Sequence, residues 1–427
     1  MVSMADIREV KNKASISLVV KDRLMIPLRA LRLCWINRKT LAYIRRKYGL
    51  KRWINVVLTY WIITGENSGV GVLDPLYKFF PSLTPYPLEI EVEFTTICNI
   101  NCLQCEYRHW DPKLRLPDGR SYKGQNLTFE QFKHMVDQFP HLIWINPTGE
   151  GSPFLNPEFL QMLEYLKKRN VYVNFSAEAY NWNHEIAKKL VEIGVDKIWF
   201  SIDGATKETY QKIRVGSDWE TIWKNIRDLI EEKRKAKSYL PQVCFHFTPM
   251  TLNRHEIIPF IDLVADLKEE YGIWVGEYVT IDFQQVIINN PKAAELKYEP
   301  TDEEIEKVYE HAKKRGVKIF YQRPSYEEET KPPGDLCVVW KEPFFLINGD
   351  VVPCCACVQR NNRPWLHEFT FGNLFEKPFR EIWDSDRYKK FRKMVVNPKA
   401  PVPILCQGCA VFNFKDRREK YGISKEI

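Results

Sequence analysis

The sequence has no run of 18 or more apolar residues, which excludes a bundle of membrane-spanning helices. It also lacks internal repeats, and its 44% hydrophobic and 28% charged residues exclude a largely disordered chain. Its first residues, MVSMADIREVKNK, lack the apolar segment of a secretory signal. We therefore expect a folded cytoplasmic protein, and 427 residues allow two or three domains.

Cysteine, in contrast, is abundant, with eleven residues in the chain. A cytoplasmic protein keeps its thiols reduced, and clustered cysteines there more often hold metal or carry out redox chemistry. Nine of the eleven fall into two clusters, at 98–105 and 337–409. The other two, Cys34 and Cys244, stand alone and are predicted to be buried small hydrophobic residues.

Positive charge is concentrated at one end of the chain. The net charge is +8, but residues 1–53 carry +11 and the remainder therefore sums to −3. Residues 21–52 place Leu, Ile, Trp and Tyr at helical spacing among eleven Lys and Arg residues, which predicts a basic amphipathic helix. The apolar run that follows, at 54–64, is about half the length needed to cross a bilayer.

Strand and helix signals alternate after Leu88. Helical stretches such as 156–170 and 219–237 separate strand-like segments at 88–94, 142–145, 171–176, 197–203, 243–250 and 279–286. This alternation predicts an α/β fold, a partial (β/α)6 TIM-like barrel with its active site at the C-terminal ends of the strands. The predicted domains are a basic helical region at 1–87, the barrel at 88–325 and a small Cys-rich α+β domain at 326–427.

A loop with three cysteines follows the first predicted strand at once. Cys98, Cys102 and Cys105, spaced C-x3-C-x2-C, can each hold one iron of a [4Fe–4S] cluster and leave the fourth iron without a protein ligand. By analogy with zinc enzymes, an open metal position is typical of a site that carries out chemistry. A zinc site completed by His109 is the alternative.

The spacing resembles the signature of radical S-adenosylmethionine (SAM) enzymes, and the resemblance covers residues 85–325. TGEGSPFLNP at 148–157 resembles the loop that binds the amino group of SAM's methionine, and 201–214 resembles the segment after the fourth strand. The resemblance implies three catalytic cluster ligands, Cys98, Cys102 and Cys105. It also implies that SAM is bound by Gln104, Gly149, Glu150, Gly151, Ser152, Ser176, Ser201, Asp203 and Arg214.

Two positions depart from the family's pattern. Gln104 stands where an aromatic residue is usual, and Ser152 stands where a glutamate is usual, with Glu150 two residues earlier. The resemblance otherwise implies one reaction class. An external reductant of the ferredoxin or flavodoxin type supplies one electron, SAM is cleaved to a 5′-deoxyadenosyl radical, and the radical takes hydrogen from an unactivated carbon. The protein would bind, orient and shield these groups.

The C-terminal cysteines form a second candidate site. Cys337, Cys354, Cys406 and Cys409 can fully ligate an iron–sulfur cluster, and zinc is the alternative. Together with FGNL at 371–374, this region resembles the SPASM/twitch extension of radical SAM enzymes, which implies one auxiliary [4Fe–4S] cluster on these four thiolates. Cys355 and Cys357 stay unassigned, and a third cluster that includes them is the alternative.

The basic N-terminal region suggests where the substrate lies. Such a helix is typical of a membrane interface, so our preferred hypothesis is a peripheral enzyme at the cytoplasmic face that forms C–C bonds between membrane-lipid alkyl chains. The chain is rich in Ile, Lys and Glu and poor in Gln, which suggests a thermophile and hence archaeal isoprenoid lipids. The alternatives for this region are a helical subdomain packed on the barrel, a leader-peptide site and an RNA-phosphate site, of which nucleic acid is the least favoured.

Two other functions stay open. One is a peptide maturase that forms thioether or C–C crosslinks. The other is a non-catalytic iron–sulfur or zinc scaffold, which the departures at Gln104 and Ser152 would permit. Tyr107, His109 and His246 follow or end predicted strands, where they could face the cavity or be ordinary packing residues.

Overall fold

A computed structural model of the protein describes residues 27–67, 86–109, 111, 113–116, 119–277, 279–288, 291–334, 337, 339–358 and 363–426. The predictions for residues 1–26 and 68–85, which include the start of the basic helix, lie outside these ranges.

The central sheet of the described residues has nine strands in the spatial order β11-β10-β1-β3-β4-β5-β7-β8-β9. Neighbouring strands are parallel except β10 and β11, which pair antiparallel. Two further pairs, β2 with β6 and β12 with β13, lie outside it. The strands are β1 (Glu89–Glu93), β2 (Asn101–Cys102), β3 (Trp144–Thr148), β4 (Tyr172–Ala177), β5 (Lys197–Ser201), β6 (Arg214–Val215), β7 (Gln242–Phe247), β8 (Thr280–Phe283), β9 (Lys318–Tyr321), β10 (Phe344–Phe345), β11 (Val351–Val352), β12 (Val402–Pro403) and β13 (Ile423–Ser424).

Helices connect the parallel strands, as crossover connections require. A first helical segment covers residues 27–36. The helices after it are α1 (Arg38–Asn67), α2 (Phe129–Asp137), α3 (Phe159–Lys168), α4 (His184–Ile193), α5 (Lys207–Ile213), α6 (Trp219–Lys235), α7 (Ile257–Tyr271), α8 (Pro291–Glu295), α9 (Asp302–Lys314), α10 (Cys355–Val358), α11 (Arg363–Glu368), α12 (Phe379–Trp383), α13 (Asp386–Val395) and α14 (Lys415–Tyr421).

The two faces of the strands differ in chemistry, because successive side chains of a strand point to opposite faces. One face is aromatic and aliphatic and packs on the helices, as Phe175 does against Phe159 of α3 and Phe245 against Phe260 of α7. The opposite face is polar and includes Trp199 and His246, whose rings stack 4.4 Å apart. The polar face lines the inside of the barrel, and the expected partial TIM-like barrel is confirmed.

The sheet is larger than the six predicted strands. The seventh barrel strand, β9, follows α9 and pairs in parallel with β8. Strand β10 then continues the sheet on the other side of β1, where Glu91 lies opposite Phe344. The C-terminal region is therefore joined to the barrel through the first strand, close to the predicted cysteine loop.

Helix α1 packs against the N-terminal end of the barrel. Ile44 and Tyr60 are buried in a cluster with Tyr172 of β4, and the helix bends at Gly49, whose φ is 86°. Buried Arg52 donates to Asp196, just before β5, at 3.1 Å. This docking corresponds to the alternative of a helical subdomain packed on the barrel.

The outer side of the same region stays exposed and apolar. Leu50, Ile54 and Leu58 of α1 are each more than 40% exposed, as are Leu28, Leu31 and Trp35 of the preceding segment. None of the helices in the described ranges is long and apolar enough to span a membrane.

Candidate active site

The cysteine loop after β1 is fixed by a short strand pairing. Within it, β2 pairs antiparallel with β6, so Cys102 lies opposite Arg214. The Leu103 amide donates to the Ile213 carbonyl at 2.9 Å, and an Arg214 nitrogen lies 3.8 Å from the Cys102 Sγ. The segment after the fourth strand of the parallel barrel therefore holds the loop that carries the thiols.

A glycine-bearing loop after β3 presses on the same thiol loop. The Ser152 amide donates to the Ile97 carbonyl at 2.8 Å. A Cβ atom at Gly151 would lie 2.5 Å from the Thr95 carbonyl oxygen and 2.8 Å from that of Ile97, closer than real contacts allow. Only glycine at position 151 lets the two loops approach this closely.

The two loops and the strand ends enclose a partly open cavity of about 240 Å³. All three thiols of the predicted cluster site line this cavity. The predicted SAM-binding residues that line it are Gln104, Gly149, Glu150, Gly151, Ser152, Ser176, Ser201 and Arg214. The structure thus brings together eleven of the twelve predicted residues of this site.

Asp203 is the predicted residue that does not line the cavity. It is fully buried, and its Oδ2 accepts from Gln104 Nε2 and from an Arg214 nitrogen, both at 2.6 Å. Its Oδ1 accepts from the Thr248 amide at 2.8 Å. Asp203 therefore orients Gln104 and Arg214, which face the cavity, without lining the cavity itself.

The serine at position 152 stands beside a carboxylate from another strand. Ser152 Oγ donates to Glu178 Oε1 at 2.5 Å, and Asn181 Nδ2 donates to the same oxygen at 2.7 Å. Glu178 lines the cavity just after β4. Sequence analysis missed this residue, and the available signal was its position two residues after Ser176 at a strand end.

The thiols are poorly suited to ionise without a cation. Burial raises the pKa of Cys98 to about 12, and the nearby Glu178 and Cys102 add to this effect. Burial also raises the pKa of Cys105 well above its usual value, with further contributions from Glu150 and Cys102. Thiolates in this cavity therefore need bound metal, and loading of metal would release protons.

The cavity residues fit a cluster and a ligand with hydrogen-bond donors. Among the described residues, Gln104 Oε1 is buried without a hydrogen-bond partner although its amide nitrogen is held by Asp203. No group of three or more His, Cys, Asp or Glu side chains in the described ranges surrounds a single-ion position. A [4Fe–4S] cluster takes its thiolates at separate irons, so the two observations are compatible.

The C-terminal thiols come from separated segments and meet beside β10 and β11. Cys337, Cys406 and Cys409 pack around the same three buried side chains, Val402, Phe412 and Phe414. Burial raises the pKa of Cys337, and the nearby charges of Cys354 and Cys409 raise it further. Cys354 therefore lies close to Cys337 as well. The four predicted auxiliary-site residues are therefore neighbours.

The two cysteines that were left unassigned lie in different surroundings. The Cys357 Sγ lies 3.7 Å from the Cys354 Sγ and 3.5 Å from the carbonyl oxygen of Leu405, next to Cys406. Cys355 instead hydrogen-bonds the half-buried Glu91 of β1. Cys357 is thus a fifth thiol at the C-terminal site, and Cys355 contacts the barrel.

Tyr107, His109 and His246, each of which could face the cavity or be an ordinary packing residue, lie in different surroundings. Tyr107 lines the cavity with the thiols. His246 lies inside the barrel, stacked on Trp199 and with its Nδ1 3.4 Å from Asp282. His109 ends the short helical turn after the cysteine loop.

Two family models match the chain. Residues 92–264 match the radical SAM superfamily, and residues 337–410 match SPASM, an iron–sulfur cluster-binding domain. With the three-cysteine loop and the partial barrel, these matches define a class of enzymes that cleave SAM at an iron–sulfur cluster. The chain belongs to the radical SAM superfamily and carries a C-terminal SPASM domain.

Curated relatives align over most of the chain at low identity. The tungsten-containing aldehyde ferredoxin oxidoreductase cofactor-modifying protein of Pyrococcus furiosus is 23% identical over 75% of this chain and 86% of its own. The AdoMet-dependent heme synthase of Methanosarcina barkeri is 26% identical over 73% of this chain and 86% of its own.

Solved structures agree in fold. SuiB of Streptococcus suis bound to S-adenosylmethionine has a TM-score of 0.57 and 11% identity, and the match covers 92% of this chain and 88% of SuiB. SuiB bound to its precursor peptide SuiA has a TM-score of 0.55 and 12% identity, over 83% of this chain and 75% of SuiB.

The chain is therefore a radical SAM enzyme that uses SAM and a [4Fe–4S] cluster, and its SPASM domain carries auxiliary iron–sulfur. It needs an external one-electron reductant. The alternative of a non-catalytic scaffold is not supported, and the zinc alternatives give way to iron–sulfur at both cysteine clusters.

Proposed function

We propose that this enzyme cleaves SAM in the cavity at the C-terminal end of the barrel and removes a hydrogen atom from an unactivated carbon of a substrate held inside the barrel. The observation that supports this most strongly is that one cavity is lined by Cys98, Cys102 and Cys105, by the glycine-bearing loop and by the ends of β4 and β5.

The three thiols would hold three irons and leave the fourth for SAM. When bound there, SAM and the cluster supply a carbon radical that can remove hydrogen from an unactivated carbon. The chain's own residues bind and orient. Gln104 offers its unpartnered Oε1, and Ser176 and Ser201 offer hydroxyls from the ends of adjacent strands.

Glu178 replaces, in this proposal, the glutamate that position 152 lacks. SAM carries an α-ammonium group, and a carboxylate is its natural partner. Ser152 and Asn181 hold the Glu178 carboxylate at the cavity wall by hydrogen bonds of 2.5 and 2.7 Å. The departure from the family's pattern at Ser152 therefore leaves a carboxylate in the cavity.

The auxiliary cluster would be held by Cys337, Cys354, Cys406 and Cys409, with Cys357 close by as a fifth thiol. A cluster with four protein ligands has no free iron for SAM, so it would transfer electrons or support the structure. Cys354 follows β11, which pairs with β10 beside β1, so such a cluster would lie near the wall of the barrel.

The inside of the barrel is polar and carries groups of both charges, which favours a polar substrate. Trp199 and His246 lie on the inner faces of β5 and β7, and Asp282 of β8 lies 3.4 Å from His246. Lys197 and Lys318 begin β5 and β9 on the same inner face, nearer the N-terminal end of the barrel. The two relatives that align over about three quarters of the chain are named for cofactor modification and heme synthesis, which also suggests a cofactor-type substrate.

A membrane lipid is the second candidate, as the N-terminal region suggested. The exposed Leu50, Ile54 and Leu58 of α1 lie among basic residues, a surface that fits an anionic membrane at the cytoplasmic face. A peptide is a further candidate, because the solved SuiB structure includes a precursor peptide.

The test combines cluster reconstitution with identification of bound material. The full chain, reconstituted anaerobically, should contain about eight irons and form 5′-deoxyadenosine from SAM with dithionite. Extraction and mass spectrometry should then yield a small polar molecule of the cofactor type. Copurified long-chain lipid or peptide would instead support the corresponding other candidate. Full iron content without any SAM cleavage would contradict the proposal as a whole.

A variant pair tests the position of the substrate. His246→Ala should slow substrate conversion several-fold and leave SAM cleavage in the absence of substrate unchanged, because His246 lies inside the barrel and does not line the thiol cavity. His311→Ala is the matched control, since His311 pairs with Asp262 on the outer helices. Equal effects of the two changes would place the substrate elsewhere.

A further inference from the structure

Arg363 is a buried cation of the C-terminal region that reaches the wall of the SAM cavity. It begins α11, and its side chain is 1% exposed. One guanidinium nitrogen lies 3.2 Å from Glu93 Oε1 and 3.6 Å from Glu150 Oε1. Glu93 ends β1, and Glu150 lines the cavity, so one guanidinium contacts both the first barrel strand and the cavity wall.

The Glu93 carboxylate collects contacts from both parts of the molecule. Its Oε2 accepts from Tyr122 Oη and from the amide of Ile347, each at 3.0 Å. Ile347 belongs to the C-terminal region, as Arg363 does. A Cβ atom at Gly149 would lie 2.9 Å from the Glu93 Cγ, so the glycine-bearing loop also rests on this side chain.

Both carboxyl groups that Arg363 faces are shielded from solvent, since the Glu93 side chain is 0% and the Glu150 side chain 13% exposed. Glu150 hydrogen-bonds Glu106, the neighbour of Cys105, and burial together with Glu106 raises the pKa of Glu150 while Arg363 lowers it. Burial raises the pKa of Glu93 as well, and Arg363 again opposes the shift. Buried carboxylates are costly without a hydrogen-bonded partner of opposite charge.

We infer that Arg363 is a positioning residue that couples the C-terminal cluster domain to SAM binding. By its contacts with Glu93 and Glu150, it holds the loop of Gly149 to Ser152 in the place that the cavity requires. SAM affinity then depends on the C-terminal domain being seated on β1, although that domain need not touch SAM. This inference rests on the proposed position of SAM.

Arg392 provides a matched comparison. It is equally buried, its Nη1 donates to the Trp383 carbonyl at 2.8 Å, and its guanidinium carbon lies 4.3 Å from the Trp383 ring centroid. These partners belong to the C-terminal domain. A loss of general packing in that domain should therefore follow from changes at either arginine, whereas a loss of SAM positioning should follow from Arg363 alone.

The experiment measures SAM binding in the reconstituted full chain. Arg363→Gln should keep about eight irons per chain. Its dissociation constant for SAM should rise about 10- to 100-fold, the loss typical of residues that orient a metal site's ligands. The change that SAM causes in the electron paramagnetic resonance (EPR) spectrum of the reduced cluster should weaken in parallel. Arg363→Lys should fall between this variant and the wild type, and Arg392→Gln should bind SAM as the wild type does.

A double variant tests the route through Glu150. Arg363→Gln combined with Glu150→Gln should lose less affinity than the two single changes predict together, because the contact between these two side chains is then lost once rather than counted twice. If Arg363→Gln does not load iron, Arg363→Lys decides, since it keeps the buried charge and replaces the planar guanidinium by a compact ammonium group.

Two results would overturn the inference. The first is that both Arg363→Gln and Arg363→Lys bind SAM with wild-type affinity. The second is that Arg363→Gln and Arg392→Gln lose the same amount of SAM affinity. A wild-type protein with full iron content that binds no SAM would overturn the proposed function and this inference with it. The two failures are therefore distinguishable.

Discussion

The two ends of the barrel differ in how their ionisable groups are paired. At the C-terminal end, three thiols with raised pKa values line an open cavity, and the Gln104 Oε1 has no partner among the described residues. At the N-terminal end, the Asp196 carboxylate binds Arg52, Lys167 and the Val173 amide, and α1 covers them all.

The C-terminal end of the barrel therefore serves the chemistry, and the N-terminal end serves stability. Groups at the C-terminal end await a ligand, so they contribute to function at a cost in buried, unsatisfied polarity. The charged side chains around Asp196 at the N-terminal end are paired within the chain, so they contribute to folding. In barrels of this kind, active sites lie at the C-terminal ends of the strands, and the opposite face serves stability.

The largest expected effect comes from a thiol of the cavity. Cys105→Ala should reduce SAM cleavage to background and lower the iron content by about four per chain, because one of three cluster ligands is lost. Iron analysis and a dithionite-driven assay for 5′-deoxyadenosine measure both quantities.

Cys244→Ala is the matched control for this change. Cys244 is a buried, isolated cysteine of β7 that does not line the cavity. The control should keep its iron and its SAM cleavage. Cleavage that survives in Cys105→Ala would break the assignment of the cavity to SAM chemistry.

The opposite end should respond in stability. Asp196→Asn should lower the free energy of unfolding by about 3–5 kcal/mol, because it leaves the buried Arg52 and Lys167 without their carboxylate. Anaerobic urea denaturation measures this loss. SAM cleavage per folded, iron-loaded chain should be unchanged, and a selective loss of cleavage with normal stability would contradict the division between the two ends.

The same carboxylate gives the stability a pH dependence. The pKa of Asp196 lies below its usual value, because Lys167 and Arg52 outweigh the opposing effect of burial. Its stabilising contribution is therefore fully present above about pH 4, the range of the unfolded carboxyl, and is lost as the pH falls through the lower folded value. The part of the stability difference between wild type and Asp196→Asn that comes from the carboxylate should shrink in solutions more acidic than about pH 4.

A smaller effect is expected where the two loops of the cavity meet. Gly151→Ala places a Cβ atom 2.5 Å from the Thr95 carbonyl oxygen, so the loops must separate at a cost of about 1–3 kcal/mol. Iron uptake during reconstitution should fall with only a modest change in the unfolding free energy. Full iron uptake and normal SAM affinity in this variant would show that the close approach is not needed.

The smallest effect concerns the exposed side of α1. Replacing Leu50, Ile54 and Leu58 by serine should change the unfolding free energy by about 0.5 kcal/mol or less for each residue, since these side chains are exposed. If the lipid candidate is right, binding to anionic vesicles should drop in this triple variant. A large loss of stability would instead mean that these residues pack against another part of the chain.

Much of the fold could be predicted because strand and helix periods are strong in the barrel. The segments around β4, β5 and β7 and the helices α3 and α6 follow the predicted ranges closely. The seventh strand was missed because Lys318–Tyr321 has four residues and follows a helix that was not predicted. The docking of α1 was not preferred because a basic amphipathic pattern does not show that Arg52 has a buried partner 144 residues away.

The site was predictable where spacing along the chain determines it. The cysteine loop and the glycine-bearing loop are local motifs, and their residues meet in the cavity as expected. Glu178 and Arg363 were missed, and Cys357 was left unassigned, because their importance arises from contacts between distant segments. Glu178 becomes visible only through Ser152, and Arg363 only through Glu93, which lies 270 residues earlier.

The most direct test of this account is the EPR spectrum of the reduced, fully reconstituted enzyme with and without SAM. We predict two cluster signals, of which SAM changes one, and the SAM-sensitive signal should be absent in Cys105→Ala and kept in Cys409→Ser. A SAM-sensitive signal that persists in Cys105→Ala, or disappears in Cys409→Ser alone, would show that the chemistry lies at the C-terminal thiols and would contradict the account.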